Sequence, residues 1–163
     1  MDPIPPAGPT ARPVPVAVVR PLRTRVLRTG WPEGQLLTLP QDDGPGTVHL
    51  AAEAGGGVVG VGTVFPEGPP EDLRGAIPEA AYVPGAAWQL RGMATDTAVR
   101  GSGYGAAVLD ACVGAAVAGG GSFVWCVARL GAVWFYERDG WATVGDPHEI
   151  AEIGPHVVMW RAL

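Results

Sequence analysis

Glycines recur at alternate positions just before an alanine-rich apolar segment, in the stretch RGSGYGAA at residues 100–107. Glycine carries no Cβ atom and therefore lets a ligand approach the backbone closely. The unpaired N–H groups at the start of a helix, with the positive end of its dipole, attract phosphate. Arg100 adds a cationic donor. The spacing therefore predicts a phosphate-binding turn before a helix, although strand-to-helix turns also contain glycine for purely steric reasons.

Two well-known phosphate motifs do not fit this stretch. Gly101, Gly103 and Ala106 match the dinucleotide fingerprint, but that motif needs an acidic residue about 20 positions later. The sequence has no Asp or Glu between Asp110 and Glu137. A Walker loop needs a lysine, and the chain contains none. The pattern that remains is Arg-x-x-Gly-x-Gly.

Strand-like and helix-like segments alternate on both sides of the glycine stretch. Apolar runs bounded by glycine and proline predict strands, and apolar residues at helical spacing predict helices. The predicted strands cover residues 14–21, 47–54, 57–65, 86–95, 122–128, 141–146 and 156–163. Helices are predicted from residue 103 to the AGGGS sequence and over 131–138, with a short helix or irregular turn at 22–28. This order predicts an α/β domain with a mixed sheet of about six to seven strands.

Proline and glycine interrupt this pattern at informative places. Residues 29–46 and 66–85 are rich in both and predict long loops, which in compact domains are usually functional or mobile. Gly92 lies inside the predicted strand 86–95. A glycine in a strand marks a bulge or a place where another group approaches the backbone closely.

The composition limits the class of protein. The 163 residues are 47% hydrophobic, which fits one domain with a buried core at residues 14–163. Six prolines within the first 15 residues predict a disordered leader at 1–13, without the basic start and apolar stretch of a signal peptide. No window approaches the roughly 18 apolar residues of a membrane helix, so we expect a cytoplasmic protein. The net charge of −5 argues against a nucleic-acid partner.

The glycine pattern resembles a known coenzyme signature. Arg100, Gly103 and Gly105 follow a strand ending RGMATD, as in the acyl-CoA pyrophosphate motif of the GNAT N-acetyltransferase superfamily. FYERDGW at 135–141 is similar to a second segment of that superfamily, which ends in Phe where this chain has Trp141. The resemblance covers roughly residues 14–163 in element order.

Three shorter blocks, LRGMATD, WCVAR and IGPHVVM, look most like a group of small, poorly characterised bacterial acetyltransferases. Members of this group commonly carry Asn where the chain has Val127. The resemblance implies a GNAT-like fold, a sheet splayed between strands 86–95 and 122–128, and acetyl-CoA as donor without a metal. It also implies direct transfer to an amine with no covalent enzyme intermediate.

The resemblance also implies which residues hold the coenzyme. Backbone N–H groups of the glycine stretch, with Arg100, would neutralise the pyrophosphate, and the strand backbone before it would pair with the pantetheine arm. An N–H near Met93 or Ala94 would face the thioester oxygen as charge develops on it. The implied coenzyme-binding residues are Met93, Ala94, Thr95, Arg100, Gly101, Ser102, Gly103, Tyr104, Gly105 and Ala106.

The catalytic candidates are Tyr136, His156 and Glu152. Tyr136 matches the tyrosine that protonates the leaving thiolate in the family. The sequence does not single out one base for the amine, since the usual strand position for a glutamate lies in WQLRGM, which has no carboxylate; His49 and Glu149 also remain candidates. His156 lies in IGPHVVM, and a structural histidine is as compatible with the sequence as a catalytic one.

The expected acceptor is the amine of a small molecule or peptide. Acidic residues are frequent in the segments 29–46, 66–85 and 142–156, which favours an acceptor that is cationic before it reacts. Six tryptophans leave room for an apolar dimer surface. Two other hypotheses stay open: a non-catalytic acyl-CoA-binding or sensing domain, and an interaction module with an incidental glycine turn.

Overall fold

The computed structural model describes residues 7–163. Its strands are β1 (Ala11–Val14), β2 (Val48–Ala54), β3 (Gly57–Pro66), β4 (Ala87–Thr95), β5 (Phe123–Arg129), β6 (Ala142–Ile150) and β7 (Gly154–Ala162). Its α-helices are α1 (Val16–Leu27), α2 (Tyr104–Ala118) and α3 (Val133–Glu137). Short 3-10 turns cover Glu71–Ala76, Thr97–Val99 and Leu130–Ala132.

The strands form one mixed sheet in the order β1-β2-β3-β4-β5-β7-β6. β4 and β5 are parallel, with register pairs from Ala87–Phe123 to Leu90–Cys126. β5 and β6 both pair antiparallel with β7, and β1 pairs antiparallel with β2. The predicted α/β class, with a mixed sheet of about six to seven strands and flanking helices, is therefore confirmed.

The strand predicted at residues 14–21 is wrong, because residues 16–27 form helix α1. Valine is frequent in this segment and favours strands when it is considered alone. In the structure, Val19, Leu22 and Arg23 are buried at helical spacing. Burial of this face therefore outweighs the local preference, which is worth only tenths of a kcal/mol per residue.

The start of the chain also differs from the prediction. Residues 11–13, which we assigned to a disordered leader, lie in β1 and pair with β2. Residues 1–6 of the predicted leader lie outside the described residues. In the part of the chain that is described, no helix is both long and apolar enough to cross a lipid bilayer.

The chain divides into two compact units. Among the described residues, the first contains residues 7–43 together with Val48–Thr63 and Gly92–Cys112. The second contains Gly44–Thr47, Val64–Arg91 and Val113–Leu163. The core of the first unit is formed by Val14, Val19, Leu22, Ala51, Val61 and Ala94. The core of the second is formed by Ile77, Ala87, Phe123, Trp125, Val144 and Val158. One domain over residues 14–163 stays a prediction.

Glycines in β3 allow the first half of α2 to pack closely in the first unit. A Cβ atom at Gly62 would lie 2.8 Å from Met93 Sδ and 2.9 Å from Cys112 Sγ. A Cβ at Gly60 would lie 3.1 Å from Val108 Cγ2. Larger side chains at these two positions would therefore push α2 away from the strand and shift the loop that precedes it.

Candidate active site

The loop between β4 and α2 is held by Asp96. Its Oδ1 accepts a hydrogen bond from the Ala98 N–H at 3.0 Å, and its Oδ2 accepts one from Arg25 Nη2 at 2.6 Å. The Asp96 N–H donates to the Val59 carbonyl at 2.8 Å. Helix α1 and strand β3 thus fix the start of the glycine stretch. The sequence did not indicate Arg25, which lies 71 positions from its partner.

The glycine stretch leaves a group of backbone donors unused. The Ser102 N–H donates to the Val99 carbonyl at 3.1 Å, and the Ala107 N–H to the Gly103 carbonyl at 3.0 Å. The other N–H groups of this stretch donate no hydrogen bond to another described residue; they are those of Gly101, Gly103, Tyr104, Gly105 and Ala106. The backbone N–H of Ser102, which we predicted as a coenzyme donor, is instead used within the turn.

The conformation of this turn requires glycine and leaves space above it. Gly101 has a φ of 83° and Gly103 a φ of 90°, a region that residues with a Cβ rarely adopt. A Cβ at Gly101 would meet no atom within 4 Å, and one at Gly103 would first meet Pro9 Cγ at 3.6 Å. The space above Gly101 is therefore open, whereas Pro9 lies beside Gly103. Unused N–H donors at a helix N-terminus with open space on the Gly101 side fit a pyrophosphate.

Strand β4 contains the close approach that its glycine predicted. Gly92 has a φ of 64°, and a Cβ there would lie 2.9 Å from Arg23 Nε. The Arg23 side chain is fully buried. The guanidinium therefore lies against the backbone immediately before Met93 and Ala94, where we predicted the coenzyme contacts of β4.

Arg23 belongs to a buried polar network in the first unit. Its Nη1 donates to both Asp42 oxygens at 2.9 and 3.0 Å, and its Nη2 donates to Thr63 Oγ1 at 2.7 Å. Burial by itself raises the pKa of Asp42, but the Leu39 N–H and the Arg23 guanidinium outweigh it and hold the pKa below its usual value. The sequence does not indicate this network, because its members lie far apart in the chain.

The same network determines the state of His49. Thr63 Oγ1 lies 2.8 Å from His49 Nδ1, and the Asp42 carbonyl lies 2.9 Å from Nε2. Because the carbonyl only accepts, Nε2 carries the proton; because Thr63 accepts from Arg23, its own O–H is free to donate to Nδ1. Both ring nitrogens of His49 are thus used in the core. His49 is not a suitable general base.

Tyr136 lies in the second unit with only 6% of its surface exposed. Its ring packs on Trp141 with centroids 5.3 Å apart, and its hydroxyl forms a hydrogen bond with the Cys126 side chain. Burial raises the pKa of the Cys126 thiol despite that hydrogen bond. The tyrosine is therefore a buried residue with an oriented hydroxyl, which fits a proton donor; its catalytic role stays a prediction.

His156 has a defined tautomer. Its Nδ1 lies 2.7 Å from the Gly154 carbonyl, which can only accept, so Nδ1 carries the proton and the neutral ring has its lone pair on Nε2. The residue is 6% exposed. Among the described residues no hydrogen bond reaches Nε2. This nitrogen is therefore available to accept a proton.

The register of β5 and β7 places the two predicted catalytic side chains apart. His156 pairs with Arg129, and Cys126 pairs with Met159. Directly paired residues share a face, and successive residues of a strand point to opposite faces. Arg129, the partner of His156, is three residues from Cys126, so His156 and Cys126 lie on opposite faces. Tyr136, bound to Cys126, thus contacts one face and His156 lies on the other.

Glu152, the third predicted catalytic residue, lies in the turn between β6 and β7. It is exposed and has a φ of 65°, a strained conformation for a residue with a Cβ. Glu149, its neighbour in β6, is also exposed. Within residues 7–163 no group of three or more His, Cys, Asp or Glu side chains could hold a metal ion.

Comparison with known proteins decides the family. A family model described as Acetyltransferase (GNAT) family matches residues 17–141, most of the chain. The chain belongs to this family. A GNAT acetyltransferase transfers an acyl group, so the predicted family and the predicted acyltransferase class are both confirmed.

Individual relatives agree with this assignment. The GNAT chain is 29% identical to the uncharacterized N-acetyltransferase YitI of Bacillus subtilis strain 168 over 123 residues, 76% of each protein. It shares the fold of a Lactobacillus plantarum protein described as an N-acetyltransferase, with a TM-score of 0.70 and 18% identity over 96% of this chain and 99% of that one. An aminoglycoside 6'-N-acetyltransferase complexed with coenzyme A has a TM-score of 0.60 and 15% identity over 87% and 89% of the two chains.

Proposed function

We propose that this protein is an acetyl-CoA-dependent N-acetyltransferase that transfers the acetyl group directly to an amine of a small molecule. One observation supports coenzyme binding above the others. The N–H groups of Gly101, Gly103, Tyr104, Gly105 and Ala106 have no acceptor among the described residues. Exposed Arg100 adds a positive charge beside them. Such a set of donors at a helix N-terminus binds phosphate oxygens.

In the proposed reaction the amine nitrogen forms a bond to the acetyl carbon and the C–S bond of the thioester breaks. The amine gives up a proton, and Nε2 of His156 is the group we propose to take it. The coenzyme thiolate receives a proton, and the Tyr136 hydroxyl is the group we propose to supply it. Because these two side chains lie on opposite faces of the β5–β7 pair, we propose that the acid and the base act from opposite faces of the sheet.

The state of the cysteines supports direct transfer. A covalent acetyl-cysteine intermediate would need a thiolate nucleophile. Burial raises the pKa of both Cys112 and Cys126, so neither thiol is ionised near neutral pH. Direct transfer predicts that initial-rate plots for acetyl-CoA and amine intersect, whereas a covalent intermediate would give parallel lines.

The basicity of the acceptor determines how much help the base must give. Keeping a Lys-like amine neutral at pH 7 costs about 4.6 kcal/mol, from its pKa of ~10.4. The same cost for the α-amine at the start of a peptide, with a pKa of ~7.8, is about 1 kcal/mol. A strongly basic acceptor therefore depends much more on His156 than a weakly basic one.

A thiol-release assay across a panel of amines tests the proposal. We expect coenzyme A to bind in a titration and free thiol to appear with at least one class of amine. Tight coenzyme binding without turnover on any amine would favour a sensing domain instead. No binding of coenzyme A would overturn the proposal. A homodimer, a cytoplasmic location and the absence of nucleic-acid partners stay predictions.

Replacing Tyr136 by phenylalanine should lower kcat by about 10²-fold and leave the KM for acetyl-CoA unchanged. Proton donation in the transition state accelerates reactions by a factor of about this size. The ring packing against Trp141 would remain. Tyr82→Phe is the matched control, since Tyr82 packs on Phe123 in the same unit and is assigned no role in the reaction. Equal kcat in wild type and Tyr136→Phe would remove the tyrosine from the mechanism.

Two glutamine variants distinguish the two predicted bases, His156 and Glu152. His156→Gln should lower kcat/KM about 10²-fold, because the group that accepts the proton of the amine is lost. Glu152→Gln should leave the rate unchanged, because Glu152 is exposed in a hairpin turn. The reverse outcome would assign the base to Glu152.

A further inference from the structure

Three nitrogen-bearing side chains form a row across the second unit. His156 in β7 pairs directly with Arg129 in β5 on one side and with His148 in β6 on the other. Directly paired residues in antiparallel strands share a face, so the three side chains lie on the same face of the sheet. The rings of His148 and His156 are 6.5 Å apart.

The row lies next to the apolar core of this unit. Val127 and Val158 form the next pair along the same face, two residues from Arg129 and His156. Both valines belong to the core or pack against it. Arg129 and His148 are exposed, whereas His156 between them is buried. A molecule on this row would thus meet charge and hydrogen-bond donors at its edges and apolar surface on one side.

The charges of the row favour an anion. Arginine is always cationic and binds a carboxylate with two parallel hydrogen bonds. Neither His148 nor His156 forms an ion pair with a carboxylate within the described part of the chain. His156 itself presents a lone pair at Nε2, as its bond to the Gly154 carbonyl requires. The row therefore combines an anion-binding group with a neighbouring proton acceptor.

We propose that Arg129, His156 and His148 form an acceptor subsite for an amine that carries a carboxylate close to it, as in an α-amino acid. The carboxylate binds the Arg129 guanidinium, the amine faces His156 Nε2, and His148 bounds the subsite on the β6 side. This inference rests on the proposed function, because it assigns the acceptor of that reaction.

The spacing and the chemistry both suit such a substrate. Paired residues on neighbouring strands have Cα atoms about 5 Å apart, so groups on one carbon of an amino acid can reach both side chains. A free carboxylate next to an ammonium stabilises the charged form of the amine. Pairing that carboxylate with Arg129 removes this effect and makes the amine easier to deprotonate beside His156.

The test compares leucine with leucinamide in the thiol-release assay. Arg129→Gln should lower kcat/KM for leucine about 30-fold, the value expected for loss of a charge-assisted hydrogen bond, and leave leucinamide unchanged. The readout is the change in the ratio of kcat/KM for leucine to kcat/KM for leucinamide. The lower basicity of the leucinamide amine affects the wild type and Arg129→Gln equally and therefore cancels. Arg138→Gln, which removes an arginine stacked on Trp134, is the matched control and should change neither substrate.

A second measurement does not depend on turnover. N-acetyl-leucine, the expected product, should cause a saturable shift of the His148 and His156 imidazole signals in NMR spectra, and this shift should be lost in Arg129→Gln. Absence of the shift in the wild type, or equal losses for leucine and leucinamide in Arg129→Gln, would overturn the subsite. Coenzyme binding could then still succeed, so this failure differs from failure of the proposed function.

The coenzyme 3'-phosphate is another anion that could use the row. Titrations with coenzyme A and with dephospho-coenzyme A separate the two sources. We expect Arg129→Gln to bind both as tightly as the wild type does. A selective loss of affinity for coenzyme A would assign the row to that phosphate and overturn the acceptor subsite.

Discussion

Gly105→Glu is expected to weaken coenzyme A binding by about 10²-fold without destabilising the free protein. Gly105 is the second residue of α2, and its N–H is one of the five that donate no hydrogen bond to another described residue. A carboxylate there would lie a few ångströms from the pyrophosphate, where like charges repel by about 4 kcal/mol at an effective dielectric constant of 20. Movement of the flexible glutamate side chain relieves part of this repulsion.

The stability of this variant distinguishes repulsion from misfolding. Gly105 is not among the glycines with positive φ, so a side chain there causes no backbone strain. The first turn of α2 contains no acidic residue, and a glutamate near a helix N-terminus stabilises the helix by about 0.3–1 kcal/mol. We therefore expect an unchanged or slightly higher melting temperature in the absence of coenzyme.

Gly105→Gln is the matched control, with the same size and no charge. It should bind coenzyme A within about 3-fold of the wild type, and isothermal titration at low salt should show the difference between the two variants. If Gly105→Glu binds as well as Gly105→Gln, the phosphate does not lie at the start of α2. The coenzyme assignment would then have to be abandoned.

Asp42→Ala is expected to lower the free energy of unfolding by about 3–5 kcal/mol, because it leaves the fully buried Arg23 guanidinium without its carboxylate. For a chain of this size that corresponds to a fall in melting temperature of about 10 °C. Thermal or urea unfolding measures it. Asp43→Ala is the control, since the Asp43 side chain is 85% exposed and should contribute less than about 0.5 kcal/mol.

The pKa of Asp42 predicts a pH dependence with a definite sign. Its pKa is lowered in the folded protein, so its contribution to stability is present above the unfolded value of ~3.9 and is lost as the pH falls through the folded value. As the pH is lowered below about 4, the free energy of unfolding should therefore fall less in Asp42→Asn than in the wild type. Identical slopes in the two proteins would show that Asp42 is not held as the ionised partner of Arg23.

The sequence was sufficient wherever the signal was local. The alternate glycines at 101–105 predicted a turn before a helix, and the positive φ of Gly101 and Gly103 shows why glycine is needed at two of these positions. Gly92 predicted a close approach to β4, which Arg23 provides. Strands β4 and β5 and the two closing strands also followed from apolar runs and turn residues, whereas the parallel pairing of β4 with β5 is what the family resemblance implies.

Where several parts of the chain act together, the sequence was insufficient. The valines at 16–19 predicted a strand, but these residues form helix α1, because the helix buries one of its faces. The sequence leaves His49 as a candidate base, whereas in the structure Thr63 and the Asp42 carbonyl occupy its two ring nitrogens. These partners lie 14 and 7 positions away, and no local pattern records such a contact.

For this protein, then, the sequence alone indicated the family, the glycine turn before α2 and the residue types that are candidates for proton transfer. These depend on backbone freedom, periodicity and short motifs, all of which are properties of neighbouring residues. The tertiary structure decided which side chains share a face: His156 with Arg129 and His148, and Tyr136 with Cys126 on the other side. Strand register sets that arrangement, and a shift by one residue would exchange the faces.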